Sequence, residues 1–378
     1  MRIAHVIGSF GVGGGERVAL DLAAGQRARG ADVVVVSLEE PANGPMAAEY
    51  AAHGIPIVRL AKRAGGIDVA LVGKLALALW RRGIQIVHTH NPPPLIYGAP
   101  AARLAGARCV HTKHGANEMR GRRRLLARAA ARCCAAFVAV SATTAEQARA
   151  HGEVAPSKLS TIENGIDLSR FAPSATLRAT VRAELGLPAE AFVVGTVGRL
   201  VREKNQPLLV AALAPHLSAQ LRLVVVGDGP EKPALDAAVA ALGERAQWVS
   251  RLGARGDVPR LLHALDVFAL SSDSEGLPLV IVEAMAASLP VVSTAVGGIP
   301  AVVIDGGVDG STGSHATGAL VPRGDATALG SRLWQLASAP ALGVSWGEEG
   351  RRRALARYSA QRMIDDYFAV YERIQRRH

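Results

Sequence analysis

Glu275 and Glu283 bracket the stretch EGLPLVIVE, and the residues between them set what chemistry the two carboxylates could do. The apolar run Val267, Phe268, Ala269, Leu270 reads as a buried strand ending at Ser271. After a short polar loop Pro278 stands at the first helical position, where the N–H that proline lacks would be unbonded anyway. The helix from Leu279 to Ala287 is apolar on almost every side, so burial is expected and a carboxylate at Glu283 needs a partner. Gly276, Leu277 and Leu279 offer backbone N–H groups at the positive end of the helix dipole, a seat for phosphate. One carboxylate at the mouth, one inside and donors between them suit a ligand with hydroxyls on both sides of a diphosphate, as in a nucleotide sugar. Two isolated glutamates would instead be a buried Glu capping a neighbouring loop and a solvated one.

Cations stand where such a ligand would need them. FVVGTVGRL (192–200) reads as a strand running into a loop, followed by Val-Arg-Glu-Lys-Asn205. Arg199 and Lys204, just past that strand, would neutralise a departing diphosphate, work that otherwise needs a metal. No D-x-D pair is present, so metal independence is expected, with no cofactor. Two further strands, IQIVHTH (84–90) and ARCVHTKHG (107–115), carry histidines near their carboxyl ends, where ligands of open α/β sheets gather. His90 and His114 are the candidates there, and His88, further back, reads as structural. The turn Gly11-Val-Gly-Gly-Gly-Glu16 after the first strand fits G-x-G-x-x-G only with misfits, and no acidic residue ends the second strand cleanly, which speaks against a dinucleotide oxidoreductase.

The chain has 378 residues, 49% hydrophobic and 20% charged, enough for two domains of ordinary size. No apolar run approaches the roughly 18 to 20 residues of a membrane span, and the N-terminus reads as a first strand, not a secretion signal. Cys109, Cys133 and Cys134 are too few for a disulfide framework and lack zinc spacing, which points to the reducing cytoplasm. The net charge of +11 is uneven: residues 1–170 hold 22 Lys and Arg against 12 Asp and Glu, the rest 21 against 20. An anionic partner for the first half is implied, with nucleic acid, an anionic membrane face and a phosphorylated acceptor as candidates. Arg120, Arg124, Arg128 and Arg132 recur every four residues along one helix stripe, either a solvated face or a contact with anionic lipid. Without interleaved aromatics the stripe is a poor nucleic-acid binder.

EGLPLVIVE resembles the E-x7-E signature of retaining GT-B glycosyltransferases of family 4, and GRL-x-x-EKN (198–205) is highly specific to that family. The Gly13-Gly14-Gly15-Glu16 turn resembles its GGxE motif, with Gly15 where alanine is commoner; N-G-I-D (164–167), G-x-G-P (227–230) and the Gly297-Gly298 turn also match. The resemblance spans nearly the whole chain. It implies two Rossmann-like domains facing across a cleft: residues 1–172 for the acceptor, residues 190–350 for the donor, and a closing helix in 355–378 packing back on the first domain. Pro173, followed by Ser174 and a charged helix to Leu187-Pro188, marks the linker between them. The resemblance further implies transfer of a sugar with retention from a UDP- or GDP-linked donor to a carbohydrate or lipid-linked hydroxyl, in cell-surface glycan, lipopolysaccharide or glycolipid synthesis. Arg199, Lys204, Glu275, His114 and His90 would be catalytic. Glu283, Gly276, Leu277, Gly198, Arg251 and Leu252 would bind the donor, and Gly13, Gly14 and Gly15 the phosphate or acceptor. Bacterial members acting on lipid-linked acceptors carry a basic helix near residues 120–132, so a peripheral place at the inner membrane face is implied as well. Three departures concern substrate details: Ala301 replaces the usual Glu, Arg251 an aromatic, and VDGSTGSHATG (308–318) is longer than usual. A small soluble acceptor, an NAD-dependent oxidoreductase and a nucleic-acid-binding protein are the alternatives.

Overall fold

The computed structural model describes residues 1–11, 13–38, 45–63, 67–115, 121–307 and 315–376. The chain forms two compact units, Met1–Asp167 with Tyr358–His378, and Leu168–Arg357. In the first, strands β1 (Arg2–Ile7), β2 (Asp32–Ser37), β3 (Ile57–Arg59), β4 (Ile86–His90), β5 (Arg108–Lys113), β6 (Cys134–Ala139) and β7 (Leu159–Thr161) alternate with helices. These are α1 (Gly14–Ala28), α2 (Pro45–Ala52), α3 (Val69–Arg81), α4 (Pro92–Leu104), α5 (Gly121–Arg132) and α6 (Ala142–Ala150). The sheet order is β3-β2-β1-β4-β5-β6-β7, every pairing parallel.

The second unit carries β8 (Phe192–Val197), β9 (Leu221–Val226), β10 (Val249–Arg251), β11 (Val267–Leu270), β12 (Val291–Thr294) and β13 (Gly318–Val321). Its helices are α7 (Ala175–Glu184), α8 (Gln206–Leu213), α9 (Lys232–Ala240), α10 (Val258–Leu261), α11 (Leu279–Ala286), α12 (Ile299–Val302), α13 (Ala326–Ser338) and α14 (Pro340–Arg357). The sheet runs β10-β9-β8-β11-β12-β13, again parallel. The closing helix α15 (Ala360–Arg376) belongs to the first unit.

The strands explain the sheets. DVVVVS and LRLVVV are nearly continuous apolar runs, buried apart from Asp32 and Arg222, as parallel strands covered by helices on both faces must be. Side chains alternate across the first sheet. Ala4, Val6, Val87 and Phe137 join the apolar core with α3, α4 and α5. His5 and His88 take the other face, where they meet Gln26 of α1 and Tyr371 of α15. Helix α15 buries Met363, Ile364, Tyr367, Val370, Tyr371 and Ile374, one stripe at helical spacing.

The charged stretch between Pro173 and Pro188 folds as the helix α7, where Arg182, 4% exposed, donates to Ala264 O at 3.0 Å and to Asp266 Oδ2 at 2.5 Å. One local expectation needs correction. Pro278 is the residue before α11, with φ −75° and ψ 102°, and the helix starts at Leu279. In both sheets the strand order reverses once, at β1/β4 and at β8/β11. Open α/β sheets bind ligands beyond the carboxyl ends of strands at that switch point.

Candidate active site

At the β8/β11 switch point of the second unit, loops from five strands interlock through backbone. Gly198 N donates to Val226 O at 3.0 Å, Leu200 N to Asp228 O at 2.9 Å and Gly227 N to Gly253 O at 2.8 Å. A Cβ at Gly227 or Gly229 would strike the carbonyls of Gly198 and Leu200, so G-x-G-P is a packing device. Gly298 N donates to Gly276 O at 2.9 Å, and Gly297, at φ 56°, has no room for a side chain against the Glu275 carbonyl.

This frame carries the charged residues. Arg202–Lys204 form one 3-10 turn, and Asn205, left-handed at φ 43°, redirects the chain into α8. Lys204 Nζ lies 2.5 Å from Glu275 Oε1, and Ser272 Oγ donates to the same oxygen at 2.6 Å. The Lys204 and Glu275 side chains are 21% and 9% exposed. Asp273 N donates to Glu203 O at 2.7 Å and Ser271 Oγ to Asn205 O at 2.8 Å, which locks the two loops together. An ammonium has three N–H donors, so Glu275 leaves two for a ligand. Arg199 is exposed on the same loop and makes no ion pair among the described residues. Gly276 and Leu277 precede α11, and Glu283 sits half-buried on its second turn between buried Val282 and Ala284.

Arg251 is turned onto α9, where it pairs with Asp236. Leu252 N donates to Val225 O at 2.9 Å, so that amide belongs to the sheet and only the carbonyl side is left for a base.

At the β1/β4 switch point of the first unit, the glycine turn becomes the start of α1. Gly13 precedes the helix without a side-chain cap, and Gly14 and Gly15 form its first turn, leaving donors at the positive helix end. Gly15 packs on His114 and Asn91: a Cβ there would lie 3.2 Å from His114 Cγ and 3.3 Å from Asn91 Nδ2. Asn91 itself combines φ 66° with ψ 167°, a region that residues other than glycine rarely adopt and strain of the kind found at functional sites. His114 Nε2 is 2.9 Å from His90 Nδ1, and His90 Nε2 is 2.9 Å from His5 Nδ1. His90 is 3% exposed with both nitrogens engaged, so it supports His114 and does not face a ligand. His88 bonds Tyr371 OH and Thr112 Oγ1, both at 2.7 Å. Burial pulls the His5 and His114 imidazoles down to about 4, and His88 and His90 well below their usual value.

His5, His88 and His90 bring ring nitrogens within 4.8 Å of one another. Their rings stack or tilt against one another, and all six nitrogens have hydrogen-bond partners. Sequence reasoning missed His5, Gln26, Asn91 and Ser272. The shared register His5↔His88 is visible only once β1 and β4 are paired.

The arginine stripe also differs from expectation. Arg124 donates to His151 O at 3.2 Å and Arg128 to the same carbonyl, so both half-buried side chains finish the C-terminus of α6. Arg132 is exposed, as are Arg122, Arg123 and Leu125; Arg120 lies outside the described residues. No helix among the described residues is long and apolar enough to cross a membrane.

Residues 12–170 match the family described as Glycosyltransferase Family 4, and residues 191–339 the one described as Glycosyl transferases group 1. A GDP-mannose-dependent alpha-(1-6)-phosphatidylinositol monomannoside mannosyltransferase of Mycolicibacterium smegmatis is 30% identical over 302 residues, 76% of each chain. The chain belongs to glycosyltransferase family 4. This family 4 member is also 36% identical over 244 residues to the UDP-Gal:alpha-D-GlcNAc-diphosphoundecaprenol alpha-1,3-galactosyltransferase of Escherichia coli. That match takes in 61% of the chain and 63% of the relative, under two thirds of its length. Among solved structures, Anabaena HepE in complex with UDP shares the fold at a TM-score of 0.85, covering 98% of this chain and all of that one at 24% identity. The two Rossmann-like domains are those of the GT-B class.

Proposed function

We propose that the protein transfers a glycosyl group from a UDP- or GDP-linked sugar to a carbohydrate or lipid-linked hydroxyl. The observation that carries this reading is the Lys204–Glu275 pair at the β8/β11 switch point, held beside the mouth of α11. Lys204 and Arg199 hold the diphosphate and meet the negative charge that grows as the glycosidic bond breaks, aided by the amides at Gly276 and Leu277. Those cations fill the place of a metal, and none is assigned. Glu283 binds the ribose hydroxyls and Glu275 positions the sugar. Glu275 Oε1 already accepts from Lys204 and Ser272, which suits an electrostatic role and makes a poor nucleophile. A same-face reaction with retention of configuration is therefore the preferred course. The glycine turn of α1 takes an acceptor phosphate, and His114 orients a carbohydrate hydroxyl.

The test is a panel of UDP- and GDP-sugars scored by thermal stabilisation and by release of nucleoside diphosphate. A ligand at a hundred times its Kd adds about 2.7 kcal/mol. One member is expected to stabilise the wild type, with the shift lost in Lys204→Ala; stabilisation by NAD and by none of the sugars would overturn the reading.

The relatives that act on diphosphoundecaprenol- and phosphatidylinositol-linked sugars favour a lipid-linked acceptor. With Arg124 and Arg128 turned inward, Arg122, Arg123, Leu125 and Arg132 are exposed on α5 and would meet an anionic bilayer. Sedimentation with anionic vesicles should weaken in an Arg122→Ala/Arg123→Ala variant. Equal partition would remove the membrane from the proposal.

A further inference from the structure

Buried histidines come with a constraint on their protons. Burial holds His5, His90 and His114 neutral, and a neutral imidazole has one N–H and one bare nitrogen. His5 Nε2 is 2.8 Å from Gln26 Oε1, and Gln26 Nε2 lies 3.0 Å from Tyr371 OH; a hydroxyl can donate or accept, so the order is decided at the far end, where a proton on His114 Nδ1 would find no acceptor among the described residues. His5 therefore donates from Nε2 and is bare at Nδ1. That bare nitrogen must receive the Nε2–H of His90, 2.9 Å away, which leaves His90 Nδ1 bare. His90 Nδ1 in turn receives the Nε2–H of His114 at 2.9 Å. Three choices of tautomer thus collapse into one, and its last term is His114 Nδ1. This atom is buried with no hydrogen-bond partner among the described residues. The opposite order would leave a buried N–H orphaned there, the rarer situation in folded proteins.

We propose that Gln26, His5 and His90 form a tautomer relay that fixes His114 with a bare Nδ1, so that this position accepts a hydrogen bond from a neutral hydroxyl and rejects an anionic oxygen. Gln26, His5 and His90 are positioning residues: each acts on the ligand only through His114. The relay is anchored on the closing helix, since Tyr371 of α15 holds the Gln26 amide. It also divides the labour within the first unit. The amides opening α1 attract anionic oxygens, while the nitrogen beside Gly15 takes only a donor. The selectivity rests on the reading of His114 as substrate-facing; the tautomer itself does not.

Imidazole nitrogen-15 NMR on the full chain, without ligand and near neutral pH, separates protonated from bare ring nitrogens. The expected result is a bare Nδ1 on His114 in the wild type. Gln26→Met removes both the acceptor and the donor, and His114 should then sample both tautomers. A protonated Nδ1 on wild-type His114, or an unchanged spectrum in a folded Gln26→Met, would overturn the relay whatever the enzyme's substrate. In transfer assays Gln26→Met should lower kcat/KM by about two- to tenfold, the loss of one neutral hydrogen bond. If UDP-glucose binding weakens more than UDP binding, the hydroxyl belongs to the donor sugar; if only the acceptor KM rises, it belongs to the acceptor. Equal transfer kinetics in wild type and Gln26→Met would overturn the selectivity.

Discussion

Replacing Lys204 by Met keeps the length of the stem and deletes the charge. In the unliganded protein the change strands Glu275, whose side chain is 9% exposed and whose Oε1 would retain only Ser272. Removing one partner of a largely buried pair leaves an uncompensated carboxylate, so a loss of about 1–3 kcal/mol in the stability of the second unit is expected. Ligand binding suffers separately. Charge-assisted hydrogen bonds are worth about 1.5–3 kcal/mol, and losing that from a diphosphate raises Kd by roughly 10- to 150-fold. The two effects part company in the double variant Lys204→Met/Glu275→Gln. A neutral amide needs no cation, so stability should return, while affinity for UDP or GDP should not. Guanidinium titration reads the first quantity and isothermal titration with the nucleoside diphosphate the second. If Lys204→Met binds the nucleotide like the wild type, or if the double variant recovers binding, Lys204 is only a structural partner of Glu275 and the reasoning fails.

Other consequences follow from the same geometry. Gly297→Ala combines positive φ with a clash against the Glu275 carbonyl, so a loss above about 2 kcal/mol is expected on urea unfolding. Gly15→Ala meets only atoms at 3.2–3.3 Å and should cost about 1 kcal/mol or less. Equal effects of the two would contradict the packing described. Acid should also unfold the first unit. His5 and His114 are lowered from 6.5 to about 4, so below pH 6.5 the unfolded chain binds protons that the native one refuses. Stability is complete above that pH and falls as it drops toward 4, by roughly 2 kcal/mol per such imidazole at pH 5. Denaturant midpoints at pH 7.5 and pH 5 check the sign; no decrease at pH 5 would contradict buried neutral histidines. Arg128→Ala should lower stability by about 1 kcal/mol through the lost cap on α6 and leave vesicle binding unchanged.

Much of the second unit could be read from the chain because its site is made of contiguous strings. GRLVREKN and EGLPLVIVE each keep their residues within one strand–loop–helix turn, so spacing alone puts cation, amide and carboxylate at one sheet end. What spacing could not show is that Lys204 and Glu275, distant in sequence, share an oxygen contact, because that depends on β8 pairing with β11. The first unit was harder. His5 sits in RIAHVI, which reads as an ordinary strand, and gains its meaning only from the parallel register that sets it beside His88. His90 was a site candidate because it ends a strand; the rings of His5, His88 and His114 around it make it buried. Periodicity placed the four arginines on one stripe. The carbonyl of His151 that claims two of them comes from α6, which the stripe itself cannot reveal.

Hydrogen–deuterium exchange with and without UDP tests the central claim most directly, because it reports which loops the nucleotide holds. Added protection is expected in residues 198–206 and 271–284, lost in Lys204→Met, with the segments around His5 and Gln26 unchanged. Protection confined to residues 8–17, with the second unit unaltered, would contradict it.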